Sequence, residues 1–558
     1  MHPEETITND VTIQVATVNG SGSQSSNLIL TKSLFRMGIP VGPKNMFPSN
    51  IMGLPTWYTI RVNRDGYLAR KKELNYLVAL NADTWFEDVK NVQPGGAIVY
   101  ESTFSPKALE GLDPSIALYP VPFDQLADEK IDNAKLRRLL VNVIYVGVLT
   151  HLLDLEVAAV EETIAHQFAS KPKAIPSNVQ AFRVGLEWAR ANIAKKDPFR
   201  VERMDKTQGK IMIEGNTASA LGCLFGGCTV VGWYPITPSS SLCESLIEYF
   251  ERFRKDPATG KNRFAAVQCE DEIAALGVVV GASWAGARAM TSTSGPGISL
   301  MGEFSGLAYY AEVPAVVFDV QRVGPSTGLP TRTAQGDILQ VAHLSHGDTK
   351  HVMLWPKDPK ECFEFGQTAF ELAEQLQTPV FVMLDLDLGM NIWMSDPFDY
   401  PEGEFNRGKV LSDADVEKLQ TFARYRDVDG DAIPYRTVPG IKNPKGSFFT
   451  RGSGHDESAR YTENHVVYQR NVDRLRRKFE TARTYVPKPA EDRVEKAEIG
   501  LIAFGSTDLC MQEMRDRLLT HGVNTSYHRL RAFPFTPETF EFIRDHDRVY
   551  VIEQNRDG

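Results

Sequence analysis

Clustered cysteines are missing from this sequence. The six cysteines, Cys223, Cys228, Cys243, Cys269, Cys362 and Cys510, contain no C-x-x-C pair. A zinc or iron–sulfur site needs clustered thiolates, so no metal site is expected on this chain. Cys223 and Cys228 come closest, but they sit in ALGCLFGGCTVVGW and read as small buried residues. A basic excess is missing too. The net charge of -10 argues against nucleic acid as the main partner, which would require a basic face. No apolar run is long enough to span a bilayer, so no membrane association is expected. The opening MHPEETITND has neither a basic n-region nor an apolar h-region, which reads as no signal peptide and predicts a cytoplasmic protein.

What the chain does have is length and balance. Its 558 residues exceed one core, and 42% hydrophobic with 24% charged residues is ordinary for a globular protein. The expected class is α/β and multidomain. VTIQVATV (11–18), YLVALN (76–81) and AIVYES (97–102) read as buried strands, and LRRLLVNVIYVGVLTHLL (137–153) as a helix. Their alternation predicts a first α/β domain over 1–200 with a largely parallel sheet. A second series over 205–395 carries the strands TVVGWYPI, AVVFDV and PVFVMLDL. Residues 396–495 are rich in Pro, Gly and charge and read as a long connecting excursion with one helix near 463–483. A third α/β unit over 496–558 opens on IGLIAFGS and stops after the strand VYVIEQN, which suggests a longer natural chain.

Five motifs follow one another between 215 and 337: GNTASALG, YPITPSS, EDEIAALGVVVGASWAGARAMTSTSGPG, QRVGPSTGLPT and TAQGD. Glu270, Asp271 and Glu272 open a small-residue helix, a place where acids also simply favour a helix N-terminus. Arg322 stands alone in a Gly/Pro-rich loop and has the planar fork that grips a carboxylate. TSTSGPG (291–297) either contacts a cofactor or caps the next helix. Taken together, the motifs resemble the 2-oxoacid:ferredoxin oxidoreductases, with YPITPSS and QR-x-GPSTG-x-PT close to diagnostic. The likeness covers nearly the whole chain: residues 11–195 resemble that family's γ domain, 205–395 its pyrimidine-binding domain I, and 496–558 the first part of a transketolase C-terminal-like domain II.

The resemblance implies a fused γ/α subunit that uses thiamine diphosphate. Thiamine chemistry needs a carboxyl group hydrogen-bonded to N1′ of the aminopyrimidine in a dry pocket. In the family pattern that glutamate lies five residues before the first glycine of G-x-x-x-G-A; here the glycine is Gly277, which selects Glu272. The same resemblance makes Arg322 the substrate-carboxylate clamp, Thr237 and Thr331 further substrate contacts, and Tyr234 and Pro235 cofactor contacts. The Mg²⁺-diphosphate signature, GDG followed by Asn, is missing. DVDGDAIPY (427–435) carries DGD and reads as unrelated. Mg²⁺ and the [4Fe–4S] cluster are therefore expected on a partner β subunit, in an α2β2 assembly that reduces ferredoxin.

Near the N-terminus, Gly20-Ser21-Gly22 follows a strand and opens a helix. Ser25 replaces the third glycine of a dinucleotide fingerprint, and no Asp or Glu occurs from 11 to 64, so NAD is disfavoured. That acid-free stretch carries Lys32, Arg36, Lys44, Arg61 and Arg64, which suggests a polyanionic ligand. In the resembled family the γ domain contributes to coenzyme A binding, and Gly20, Ser21, Gly22, Lys44 and Arg61 are the candidate contacts here. The alternative is a structural Gly/Ser turn with solvated bases. Among substrates 2-oxoglutarate is preferred over pyruvate and branched-chain or aryl 2-oxoacids, with Arg436, Arg451 and His455 as candidate partners for its distal carboxylate. Two rivals stand beside this reading: a non-oxidative thiamine carboligase and a non-catalytic scaffold subunit.

Overall fold

The computed structural model describes residues 6–48, 53–131 and 134–557. Residues 1–5, the start of the stretch read as lacking a signal peptide, lie outside them. The chain divides into two compact units, Met1–Met212 with Asn391–Asp396, and Ile213–Met390 with Pro397–Gly558. No helix is long and apolar enough to cross a membrane among the described residues.

The first unit is built on a six-stranded sheet. Its order is Val41–Met46, Pro55–Asn63, Asp10–Val18, Leu74–Ala79, Val92–Glu101, Ala117–Val121. Alternation along Asp10–Val18 sends Val11, Ile13 and Val15 into one core and Ala16 into another. The helices Ser23–Arg36, Ala134–Leu152, Val157–Gln167 and Ile175–Asn192 cover the first face. Ala134–Leu152 and Ile175–Asn192 cross closely because Gly147 and Gly185 carry no Cβ; an added one would strike the Phe182 and Ile144 carbonyls. The sheet is less parallel than the sequence suggests, since Pro55–Asn63 runs antiparallel to both its neighbours, Val41–Met46 and Asp10–Val18. Their Gly42, Pro43 and Pro55 are turn-like signals. Pro43, however, sits on an edge strand, where a missing N–H is tolerated.

The second unit holds a seven-stranded sheet in the order Ala265–Gln268, Val230–Trp233, Ala289–Thr293, Ala315–Gln321, Pro379–Asp385, Val352–Leu354, Ala532–Phe533. The first six strands run parallel and only the last is antiparallel. Ala532–Phe533 comes from the third sequence series, so that series contributes to this sheet as well as forming its own. Its own four-stranded sheet runs Ala490–Asp492, Thr525–Leu530, Ile499–Phe504, Arg548–Ile552.

The excursion after residue 396 is packed, and its helix spans His465–Thr481. Arg474 and Lys478 from this helix enclose the fully buried Glu312 at 2.5 and 2.7 Å. Burial alone would raise the Glu312 pKa, but Arg474 and Lys478 hold it well below the usual carboxylate range. Glu374 is answered in the same way by Arg288 at 2.8 Å, Arg407 at 2.7 Å and Arg436 at 3.4 Å. Replacing Glu312 with Gln leaves two buried cations unanswered, which typically costs about 3–5 kcal/mol. The expected result is a fall in thermal midpoint of several degrees at pH 7. That difference should shrink as pH drops below the unfolded carboxyl range, where wild-type Glu312 also loses its charge advantage.

Candidate functional site

Four parallel strands end on the motif residues. Glu270–Glu272 follow Ala265–Gln268, Tyr234–Ser239 follow Val230–Trp233, Ser294 follows Ala289–Thr293, and Arg322 follows Ala315–Gln321. In an open parallel sheet the carboxyl ends of strands form the natural ligand crevice. The YPITPSS turn is held from several sides. Asn216 Nδ2, on the helix Gly215–Phe225, donates to the Pro238 carbonyl at 2.9 Å and to Ser241 Oγ at 2.8 Å. Ser292 Oγ donates to the Ser239 carbonyl at 3.2 Å, and the Ile236 amide donates to Ser240 Oγ at 2.9 Å. The first motif of the series therefore braces the second.

The three acids at the head of Glu272–Trp284 divide their work. Asp271 is the N-cap, its carboxylate accepting from the Ala274 amide at 2.8 Å. Glu272 is released from capping. It is buried, and no donor among the described residues hydrogen-bonds its carboxylate. The TSTSGPG turn lies against it: a Cβ on Gly297 would strike Thr293 Oγ1 and stand 2.7 Å from Glu272 Cγ. The Ser294 hydroxyl, at the N-cap of Gly295–Leu300, makes no capping bond. The turn's contribution is thus small residues at a point of close approach.

Arg322 is 7% exposed. Its Nη1 donates to the Thr237 carbonyl at 2.6 Å, which joins two motifs 85 residues apart in sequence. Its Nε is buried without an acceptor. Burial pushes the Arg322 pKa down, against the opposing charges of Asp337 and Glu272. The loop after Arg322 closes on itself, Val323 N donating to the Arg332 carbonyl at 3.0 Å, and returns buried Thr331 to its foot. Thr331 Oγ1 accepts from Arg332 Nη1 at 3.0 Å. Glu272, Arg322 and Thr331 are buried, whereas Tyr234, Pro235 and Thr237 are exposed. Cavities of about 540 and 390 Å³ occur elsewhere in the unit, lined by residues such as Phe225, Arg288 and Tyr400, and Tyr310, His346 and Tyr468; neither includes Glu272, Arg322 or Thr331.

Two acids here escaped the sequence reading. Asp319 lies inside Ala315–Gln321, fully buried, and its carboxyl faces that of Asp337 from TAQGD. Burial and the mutual charge raise Asp319 far above the carboxylate range, and burial lifts Asp337 to about 6. The available signal was a charged residue in the middle of AVVFDVQ.

The other candidates are dispersed. In the first unit, Gly20 and Gly22 adopt left-handed φ of 83° and 87°, and Gly22 opens Ser23–Arg36 with no side-chain cap. Asn142 Nδ2 donates to the Ser21 carbonyl at 2.8 Å. Arg61 pairs with Thr12, six residues before the strand end at Val18, or about 20 Å along the strand. Lys44 aligns with Thr59 and so with Gln14, about 13 Å from that end. Arg61 is 2% exposed and donates to the Ala69 carbonyl. It is therefore not the surface base that the acid-free stretch suggested. Two candidates for a distal carboxylate are also corrected. Arg436 is buried on Glu374, and His455 is buried between Tyr425 and Tyr310. Arg451 lies over the Phe449 and Tyr461 rings and donates to Ala459 at 2.9 Å. In DVDGDAIPY, Asp429 and Asp431 pair with Lys409 at 2.6 and 2.8 Å. Burial pushes the Cys228 and Cys243 thiols up to about 12, and no group of three His, Cys, Asp or Glu able to hold a metal occurs among the described residues.

A parallel α/β unit with a buried glutamate and a buried arginine at its strand ends has the layout of an open-sheet ligand crevice. Residues 221–394 match the family model described as pyruvate flavodoxin/ferredoxin oxidoreductase, thiamine diphosphate-binding, and residues 12–188 match that of pyruvate ferredoxin/flavodoxin oxidoreductase. Subunit alpha of 2-oxoacid:ferredoxin oxidoreductase 2 from Aeropyrum pernix is 31% identical, covering 98% of this chain and 91% of its own length. The 2-oxoglutarate oxidoreductase subunit KorA of Mycobacterium tuberculosis is 27% identical over 99% of this chain and 86% of its own. A solved structure of 2-oxoglutarate:ferredoxin oxidoreductase from Magnetococcus marinus, with 2-oxoglutarate, coenzyme A and succinyl-CoA bound, superposes with a TM-score of 0.87 at 28% identity, covering 99% and 93% of the two chains. The chain belongs to the 2-oxoacid:ferredoxin oxidoreductases, as an alpha subunit.

Gly297→Ala tests the close packing at Glu272. Overpacking here should cost about 1–3 kcal/mol and displace the glutamate. A lower thermal midpoint together with a loss of oxidoreductase activity in the assembled enzyme is expected; wild-type values for both would remove Gly297 from the site.

Proposed function

We propose that this chain, with a β subunit, catalyses CoA-dependent oxidative decarboxylation of 2-oxoglutarate to succinyl-CoA and CO2, or the reverse carboxylation, with ferredoxin as electron partner. The observation that carries the reading is Arg322: a buried guanidinium with one backbone acceptor, set beside a glutamate that has no hydrogen-bond donor among the described residues. Bound thiamine diphosphate would supply the electron sink for losing CO2. Glu272 would share a proton with N1′ of its aminopyrimidine ring, and the absence of any protein donor to its carboxylate fits that partner. Arg322 would grip the C1 carboxylate with two hydrogen bonds. Thr237 and Thr331 would flank the substrate, and Tyr234 and Pro235 the cofactor.

In this reading residues 1–200 form the γ domain, 205–395 the pyrimidine-binding domain, 396–495 the connecting excursion and 496–558 a domain II segment. The Gly20–Gly22 turn, exposed at Gly20, and the half-buried Lys44 would meet coenzyme A phosphates; Arg61 would act by shaping the sheet behind them. Mg²⁺ and an iron–sulfur cluster would sit on the β subunit of a cytoplasmic α2β2 enzyme. The preference for 2-oxoglutarate draws support from the M. tuberculosis and M. marinus relatives, whose names specify it.

The deciding experiment is to copurify the native complex, determine its cofactors and screen 2-oxoacids with CoA and a dye acceptor. CoA-dependent dye reduction with 2-oxoglutarate is expected. Turnover without CoA would favour a carboligase, and a Glu272→Gln complex with normal turnover would favour a scaffold. That variant is expected to lose about 10²–10⁴ in rate, the usual size of a proton-transfer contribution. Arg322→Lys keeps the charge but loses the fork, so KM for every 2-oxoacid should rise and kcat fall. A change confined to 2-oxoglutarate would instead place Arg322 on the distal carboxylate. Lys44→Ala should raise KM for CoA and leave decarboxylation unchanged.

A further inference from the structure

Arg322 feels two acids, Asp337 and Glu272, and pairs with neither within 4 Å. If it closed on Glu272, it would occupy the carboxylate that the cofactor reading needs and misdirect its own fork. Something must hold it back. Asp337 is one of its two acidic neighbours, and Asp319 lies against Asp337. Asp319 is fully buried with no donor to either oxygen, and Asp337 Oδ2 is likewise buried without one. The two carboxyls lie within hydrogen-bonding reach of each other. Two contacting buried carboxylates cannot both ionise, and one shared proton satisfies the otherwise orphaned oxygens.

The surrounding backbone fixes this arrangement. Asp319 lies opposite Thr293 on one neighbouring strand and Met383 on the other. The Asp337 amide donates to Gln321 Oε1 at 3.2 Å, and a Cβ on Gly295 would stand 2.9 Å from Asp337 Oδ1. Among the described residues the charges the pair faces are Arg322 and, beyond it, Glu272. Asp385, at the end of the adjoining strand, is engaged by Ser506 and Gln335.

We propose that Asp319 and Asp337 are positioning residues, an acid pair that shares one proton and whose single negative charge balances Glu272 across Arg322, keeping the guanidinium aimed at the substrate carboxylate. This rests on the reading of Arg322 as the clamp. The pair acts through charge at a distance, which leaves the donors of Arg322 to the ligand. The charge is present above about pH 6 and is lost as pH falls through that value, when the second carboxyl takes up a proton.

The test uses the assembled complex with three variants: Asp319→Asn, Asp337→Asn and the double. Each single amide still donates to the remaining carboxylate, so one negative charge persists, and kcat/KM for the 2-oxoacid should fall only a few fold. The double variant keeps the shape and loses the charge. Its kcat/KM should fall by about tenfold or more beyond the product of the singles, as expected when a reacting group loses its orientation. Its thermal midpoint should hold or rise, because no buried carboxylate remains to be ionised; a merely structural pair would instead lose stability. The wild-type acid limb of kcat/KM near pH 6 should vanish in the double.

A double variant with wild-type kcat/KM, alongside an impaired Arg322→Lys, overturns the proposal and leaves the clamp standing. An unimpaired Arg322→Lys overturns the clamp itself. If the double variant does not fold, the wild-type profile decides: no acid limb between pH 5 and 7 overturns the pair.

Discussion

Buried glutamates that must be answered hold the second unit together. Glu312, Glu374 and Glu361 are each taken out of water near the central sheet, and each is answered by bases from later in the chain. Arg474 and Lys478 reach Glu312, Arg407 and Arg436 join Arg288 on Glu374, and Arg529 and Arg531 close on Glu361 at 2.7 and 2.9 Å. A carboxylate left alone in such a place would be costly, so these partners are held firmly. In this way a segment rich in proline, glycine and charge becomes an ordered part of the fold. Three consecutive stretches of the sequence become one compact unit.

The candidate site inverts that rule. Glu272 and Arg322 are as buried as the structural ions, yet neither is closed by a side chain of opposite charge. Asp271 takes over the capping that would otherwise occupy Glu272, and Gly297 leaves it room. Asn216, Ser292 and Ser240 fix the YPITPSS turn so that its Thr237 carbonyl meets Arg322. Structural charge in this unit is answered within the chain, whereas in the proposed function the charge at the strand ends answers a ligand. The neighbouring Asp319–Asp337 pair lies between these cases, since its partner is a shared proton.

The sequence by itself determined the class of fold and the family. Buried apolar strands alternating with helices define the α/β units, and three of the five motifs lie where parallel strands end. These are local properties, carried by neighbouring residues. Tertiary structure alone decided which bases are available. Arg61, Arg436 and His455 read as ligands because a linear sequence does not disclose burial, and folding commits each of them to the interior. Register decided that Arg61 and the Gly20–Gly22 turn stand far apart along one sheet. Pairing decided that Asp319 and Asp337, 18 positions apart, face one another. The physical reason is common to all of these cases. Desolvation and Coulomb energy depend on distance in space, and only the packed chain sets those distances.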